Sequence, residues 1–118
     1  MMRHMLLAKI HRARVTSADL HYEGSITIDE TLMNAVGMIP YERVQVLNIS
    51  NGARAETYAI PGPRDQGDII MNGAIARMAQ VGDLVIVLSY GYVEETEARA
   101  LKPKIIVLDE KNRILKQH

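Results

Sequence analysis

The sequence predicts a mainly β fold, a small β-barrel with a few short helices, and three observations carry that expectation. Val and Ile together number 22 against 10 Leu, a bias toward the pleated surface of a sheet rather than a helical bundle. Apolar residues fall into short runs separated by Gly, Pro, Asn and Asp, with only brief stretches of helical spacing. Phe and Trp are absent, so the core is aliphatic and the five tyrosines are the only large aromatics. A chain of 118 residues has room for one domain, residues 1–118. A domain of this size buries roughly two-thirds of its unfolded surface and needs no covalent staples. With zero cysteines it has none, and thiolate metal or nucleophile chemistry is excluded with them.

Taken in order, Met5-Leu6-Leu7-Ala8 opens a strand in which Lys9 and His11 share one face and Ile10 takes the other. A polar stretch around Asp19 leads to His21-Tyr22-Glu23-Gly24-Ser25 and the β-branched run Ile26-Thr27-Ile28. Asp29 then reads as the N-cap of a helix over 30–36, with Gly37 as its stop and Pro40 beyond. Val44, Val46 and Ile49 lead into Asn51-Gly52, a pair favoured in type I′ hairpin turns, and residues 53–60 return. On the return, Arg54, Glu56, Tyr58 and Ile60 fall on one face and Ala55, Thr57 and Ala59 on the other. Pro61-Gly62-Pro63 closes that strand. Asp68 to Met71 is a strand ending at Asn72-Gly73, followed by a small-residue helical turn from Ala74 to Ala79. Leu84 to Leu88 reads as a strand buried on both faces, Glu94 to Arg99 as exposed helical turns, and Ile105 to Leu108 as a last core strand before a short tail.

Fourteen basic residues against fourteen acidic ones leave no net charge, which argues against nucleic acid held by a basic surface. The longest apolar run is Leu84 to Leu88, far short of the roughly 20 residues of a membrane span. Arg3, His4 and Lys9 interrupt any signal-peptide core, so a cytoplasmic protein is expected, with neither nucleic acid nor membrane as a partner. The four histidines lack H-x-x-H or H-E-x-x-H spacing and read as solvated rather than metal-binding; no metal is expected. Phosphate-loop, dinucleotide and nucleophile-elbow motifs are missing as well.

Gly24-Ser25 offers chemistry of another kind. A serine hydroxyl lies close to the carbonyl of the residue before it, and glycine at that residue permits backbone geometries closed to others. Attack there sacrifices amide resonance, so it requires strain and an oxyanion donor. Taken alone, the pair is a turn fragment.

Its context is specific. Lys9-Ile10-His11-Arg12 and Asp19-Leu20-His21-Tyr22-Glu23-Gly24-Ser25 resemble the N-terminal signature of the pyruvoyl-dependent aspartate 1-decarboxylase family. Asn51-Gly52-x-Arg54, Thr57-Tyr58-Ala59, Asn72-Gly73-Ala74 and Val81-Gly82-Asp83 continue the resemblance over nearly the whole chain. One departure is Ile75, where the family usually has a small residue, so an altered pocket rim is expected there.

The resemblance implies a six-stranded double-psi β-barrel, a homotetramer with sites between neighbouring subunits, and a proenzyme that cuts itself between Gly24 and Ser25. Residues 1–24 would form the small fragment and 25–118 the large one, headed by a covalent pyruvoyl group derived from Ser25. That group would condense with the amine of L-aspartate and accept the electrons freed as carbon dioxide leaves, yielding β-alanine, a pantothenate precursor, without pyridoxal phosphate. By the same resemblance Thr57 stabilises the oxyanion of processing and Tyr58 donates a proton in turnover. Lys9, Arg54, Thr57, Asn72, Gly73, Ala74 and Ile75 bind substrate, Arg54 offering a planar fork to a carboxylate. A separate maturation factor is neither required nor excluded by these residues. Thr57 and Tyr58 point to opposite sides of one strand, which a bulge or a site at a subunit boundary would reconcile. The rival reading is a small β-barrel binding module in which Gly24-Ser25 is only a turn.

Overall fold

Nine strands and two short helices make up the computed structural model, which describes residues 1–118. In chain order these are β1 (Met2–Arg14), β2 (Ser17–Asp19), β3 (Ser25–Asp29), α1 (Glu30–Val36), β4 (Arg43–Asn48), β5 (Arg54–Gly62) and β6 (Ile69–Asn72), then a 3-10 segment (Gly73–Met78), β7 (Leu84–Glu94), α2 (Glu95–Ala98), β8 (Lys104–Leu108) and β9 (Ile114–Gln117). The mainly β expectation holds.

The strands form one sheet in the order β2-β6-β3-β5-β4-β7-β1-β8-β9. Its hydrogen-bonded order is open and has nine members where six were expected. The difference of three lies in how β1 and β2 are counted and in the added β8–β9 hairpin. Only Val15 and Thr16 separate β1 from β2, so the sheet must curl until the end of β1 reaches the edge that carries β2. Two backbone bonds pin the crossing: Val15 N–H donates to Asp83 O (2.9 Å) and Thr16 N–H to Ile69 O (2.8 Å). Counted as one bent strand, β1 and β2 complete a six-membered cycle with β6, β3, β5, β4 and β7, and the β8–β9 hairpin hangs on β1 outside it.

Period-two alternation fills the interior. Ile10 pairs with Val87, Val87 with Val46 and Val46 with Ala55, a row of inward side chains across four strands. Ile26, Ile28, Ile69 and Met71 close the opposite wall, all fully buried. Each such side chain contributes about 1.5–3 kcal/mol by leaving water, and a one-residue slip would turn a strand's whole set outward. Helix α1 starts where expected. The Asp29 carboxylate accepts from Thr31 N–H (2.9 Å) and also from Asp65 N–H (3.0 Å) and Gly67 N–H (2.9 Å). Gly37 ends the helix at φ 76°, and the helix buries Leu32, Met33 and Val36.

Three local expectations change. The 48–53 turn is not a two-residue type I′ turn, because only Gly52 has positive φ. Asn48 N–H instead closes on Ala53 O (2.8 Å) around a four-residue loop. The Asn48 and Asn51 side chains impose that shape by accepting from Ser50 N–H and Ala53 N–H and donating to Met78 O. Strand β7 runs well past Leu88 to Glu94, its second half pairing with Met2 to Leu6. The supposed tail folds back as β9 on β8.

Candidate active site

Strand β3 begins at Ser25, which pairs with Asn72 of β6, while Leu20 to Gly24 lie outside the sheet. The boundary leaves Gly24 exposed and Ser25 1% exposed, with the serine paired to β6 but not to β5. Asn72 Nδ2 donates to Ser25 Oγ (3.1 Å) and to Thr27 Oγ1 (2.9 Å). Ser25 accepts in this bond, which leaves its own proton uncommitted to Asn72.

Gly73 explains why the 22–24 turn can close so tightly. Its φ is +71°, and a Cβ there would stand 2.8 Å from Gly24 Cα and 2.9 Å from Tyr22 O. Only glycine fits both the dihedral and the contact. Beside Gly24 opens a cavity of about 360 Å³, walled by Thr57, Asn72, Ala74, Ile75 and Arg77 among others. Ile75 is 7% exposed and belongs to the hydrophobic core, so its extra bulk is spent beneath the cavity rather than on an open rim.

Strand β5 divides the remaining candidates. Its register with β4 is unbroken from Arg43↔Tyr58 to Leu47↔Arg54, so no bulge reconciles its two faces. Thr57 faces the cavity; Arg54 and Tyr58 are exposed on the outside of the barrel. Tyr58 leans on Tyr41 with ring centroids 6.1 Å apart. Arg54 lies across from Leu47 and Leu47 from Ile86, and Ile86 in turn faces a bulge at His11-Arg12. Lys9 stands in the adjacent row with Leu88, Gln45 and Glu56. The structure thus brings Gly24, Ser25, Thr57, Asn72, Gly73, Ala74 and Ile75 together, and sets Lys9, Arg54 and Tyr58 on the outer face.

His11, beside Lys9, has a buried Nδ1 with no hydrogen-bond partner. Burial, then the positive charges of Lys9 and Arg12, holds its pKa below the ordinary imidazole value. No group of three or more His, Asp or Glu side chains is placed to share a metal ion. A larger hollow of about 480 Å³, among His4, Arg43, Tyr90 and Tyr92, contains none of the expected residues.

Sequence reasoning missed Ala55, Glu56, Arg77 and Met78, which also line the small cavity. A 3-10 segment repeats every three residues, so Ala74 and Arg77 eclipse each other on its exposed edge. Reading 73–78 with that period would have found Arg77.

A prosthetic carbonyl made from the chain itself fits these residues: a buried serine follows an open glycine, with a threonine and an amide at hand. The comparisons with known proteins agree. The family model described as aspartate decarboxylase matches residues 1–115. The aspartate 1-decarboxylase of Carboxydothermus hydrogenoformans is 57% identical over 112 residues, covering 95% of this chain and 88% of its own. That of Listeria monocytogenes is 57% identical over 114 residues (97% and 90%), and that of Thermoanaerobacter pseudethanolicus 55% over 113 (96% and 97%). Matched along nearly its whole length by family model and relatives alike, the chain belongs to the aspartate decarboxylase family.

Proposed function

We propose that the protein is a self-processing, pyruvoyl-dependent decarboxylase that converts L-aspartate to β-alanine and carbon dioxide. The observation that carries this is the buried Ser25 behind an open Gly24, with Thr57 and Asn72 at the same cavity. In processing, Ser25 Oγ attacks the Gly24 carbonyl carbon, the C–N bond breaks, and the nitrogen takes up a proton as a free amine. Loss of the Ser25 α-proton then expels Gly24 as a carboxylate, and water replaces the nitrogen, which departs as ammonia. The hydroxyl of Thr57 is the donor for the oxyanion that forms on the Gly24 oxygen. Gly73 supports the step by holding residues 22–24 against the β6 end.

A pyruvoyl group derived from Ser25 would supply an electrophilic carbonyl for the substrate amine and an electron sink for decarboxylation. The chain's own residues do the rest. Arg54 and Lys9 neutralise substrate carboxylates, and the Tyr58 phenol returns a proton to the carbon that lost carbon dioxide. Since these three lie on the outer face, a neighbouring copy supplies them. Leu47, Ile49 and Ile86 give that face apolar surface on which a second chain can seat, and the reading is completed by a homotetramer with sites between subunits. The product is a pantothenate precursor and the setting cytoplasmic.

Two measurements test this. Mass spectrometry should find residues 1–24 and a 25–118 fragment lighter by one ammonia than a serine terminus would be. The cleaved protein should release β-alanine and carbon dioxide from L-aspartate. An intact chain inert to aspartate would favour the binding module instead.

A further inference from the structure

We propose that Arg77 is the counter-ion of the carboxylate that self-cleavage leaves on Gly24, a positioning residue that keeps the cut end of the small fragment at the cavity wall. This rests on the self-processing reading above and goes beyond it. Processing makes a permanent anion beside a site that must then admit a substrate with two carboxylates. Left bare, that anion would repel every aspartate entering the same cavity.

Arg77 is the only cationic side chain lining the cavity; Lys9 and Arg54 are not among its walls. It takes part in none of the chain's five ion pairs. The one carboxylate that lines the cavity, Glu56, is paired with Arg43, and Glu23 of the 20–24 turn is exposed and in no ion pair. The cut end has little freedom to leave. Strands β1 and β2 keep the small fragment in the sheet, so only Leu20 to Gly24 lie beyond it. His21 N–H bonds back to Asp19 Oδ1 (3.1 Å), and Gly73 packs flush on Gly24. A guanidinium suits a terminal carboxylate because it can donate two parallel bonds.

The test is trimming of the fully cleaved, full-length protein by a carboxypeptidase, which must grip a free terminal carboxylate. Mass spectrometry follows loss of Gly24 and Glu23, with a synthetic peptide of residues 1–24 as the unrestrained standard. The wild type should be trimmed slowly, Arg77→Gln on the order of fivefold faster, and Arg77→Lys at a rate between them. Raising sodium chloride should speed trimming of the wild type, since the pair is partly open to solvent. That arm holds even if the Gln variant fails to process. Equal rates for wild type and Gln variant, or a wild-type rate indifferent to salt, overturn the proposal. Equal trimming with a raised KM for aspartate in the Gln variant would assign Arg77 to the substrate instead. A wild-type chain that stays whole on a denaturing gel removes the self-processing reading itself, a failure visible before any carboxypeptidase is added.

Discussion

Thr57 and Arg54 stand three residues apart on β5 yet serve opposite sides of the barrel wall. On the inner side, Gly24, Ser25, Thr57, Asn72 and Gly73 meet within one chain, by direct contacts such as the 3.1 Å bond from Asn72 to Ser25. On the outer side, Lys9, Arg54 and Tyr58 carry charge and a phenol toward solvent. The alternation of a strand enforces this split, because neighbouring side chains cannot share a face without a bulge, and β5 has none. The difference teaches that the two halves of the proposed reaction make separate demands: one folded chain brings Gly24, Ser25, Thr57 and Asn72 together, whereas turnover as proposed draws on the outer face of a second copy.

The largest effect should come from the inner side. Ser25→Ala removes the attacking hydroxyl, so the chain should remain a single piece on a denaturing gel and release no β-alanine. Cleavage between 24 and 25 in that variant would end the acyl-shift mechanism. Tyr58→Phe tests the outer side. The phenol lies away from the cavity beside Gly24, so processing should go to completion while β-alanine production falls by about 10²–10⁴-fold, the usual contribution of a positioned proton donor. Near-normal production by the cleaved Phe variant would leave Tyr58 only its packing on Tyr41.

Arg54→Ala should cost on the order of 2–5 kcal/mol in kcat/KM for aspartate, the range for deleting one partner of a close charge pair. Cleavage should be untouched. The variant also breaks or sharpens the comparison directly, by mixing. A Ser25→Ala chain keeps its Arg54, and an Arg54→Ala chain keeps its Ser25. If each site draws on two copies, refolding the inactive and the impaired protein together should restore activity above either parent. A mixture no better than its parents would place Arg54 and Ser25 of one chain in the same site.

Much of the fold was legible because its signals act locally. Asp29 and Gly37 bound α1 through their own hydrogen bonds and dihedral, and Asn72-Gly73 ends β6 where the sequence suggested. β9 was not legible: Ile114-Leu115-Lys116-Gln117 has no alternation, and its strand character comes only from pairing with β8. The curl that carries β1 round to β2 was equally hidden, since it depends on Val15 and Thr16 finding Asp83 and Ile69, far off in sequence. At the site, alternation alone put Thr57 opposite Arg54 and Tyr58, and the structure keeps them so. Arg77 escaped because its place depends on the phase of a 3-10 turn, which a run of small residues does not announce.

The smallest predicted effect concerns His11, at the outer-face bulge. Burial and the charges of Lys9 and Arg12 lower its pKa from 6.5, so the folded chain favours the neutral ring more than the unfolded chain does. The sign of the linkage follows. Stability contributed by the neutral ring is complete above about 6.5 and is lost as pH falls below 6.5 toward the lowered folded value. Thermal midpoints of the uncleaved Ser25→Ala chain, with and without His11→Gln, isolate this from processing. The two should run parallel above pH 7, and the His11 chain should lose stability faster below 6.5, because glutamine takes up no proton. Parallel curves throughout would mean that His11 is solvated in both states. Repeating the scan at two protein concentrations extends the comparison to the outer face. If a second copy seats beside Lys9, Arg12 and Arg54, protonating His11 adds one more positive charge to that contact, so acid should weaken the assembly as well as the fold.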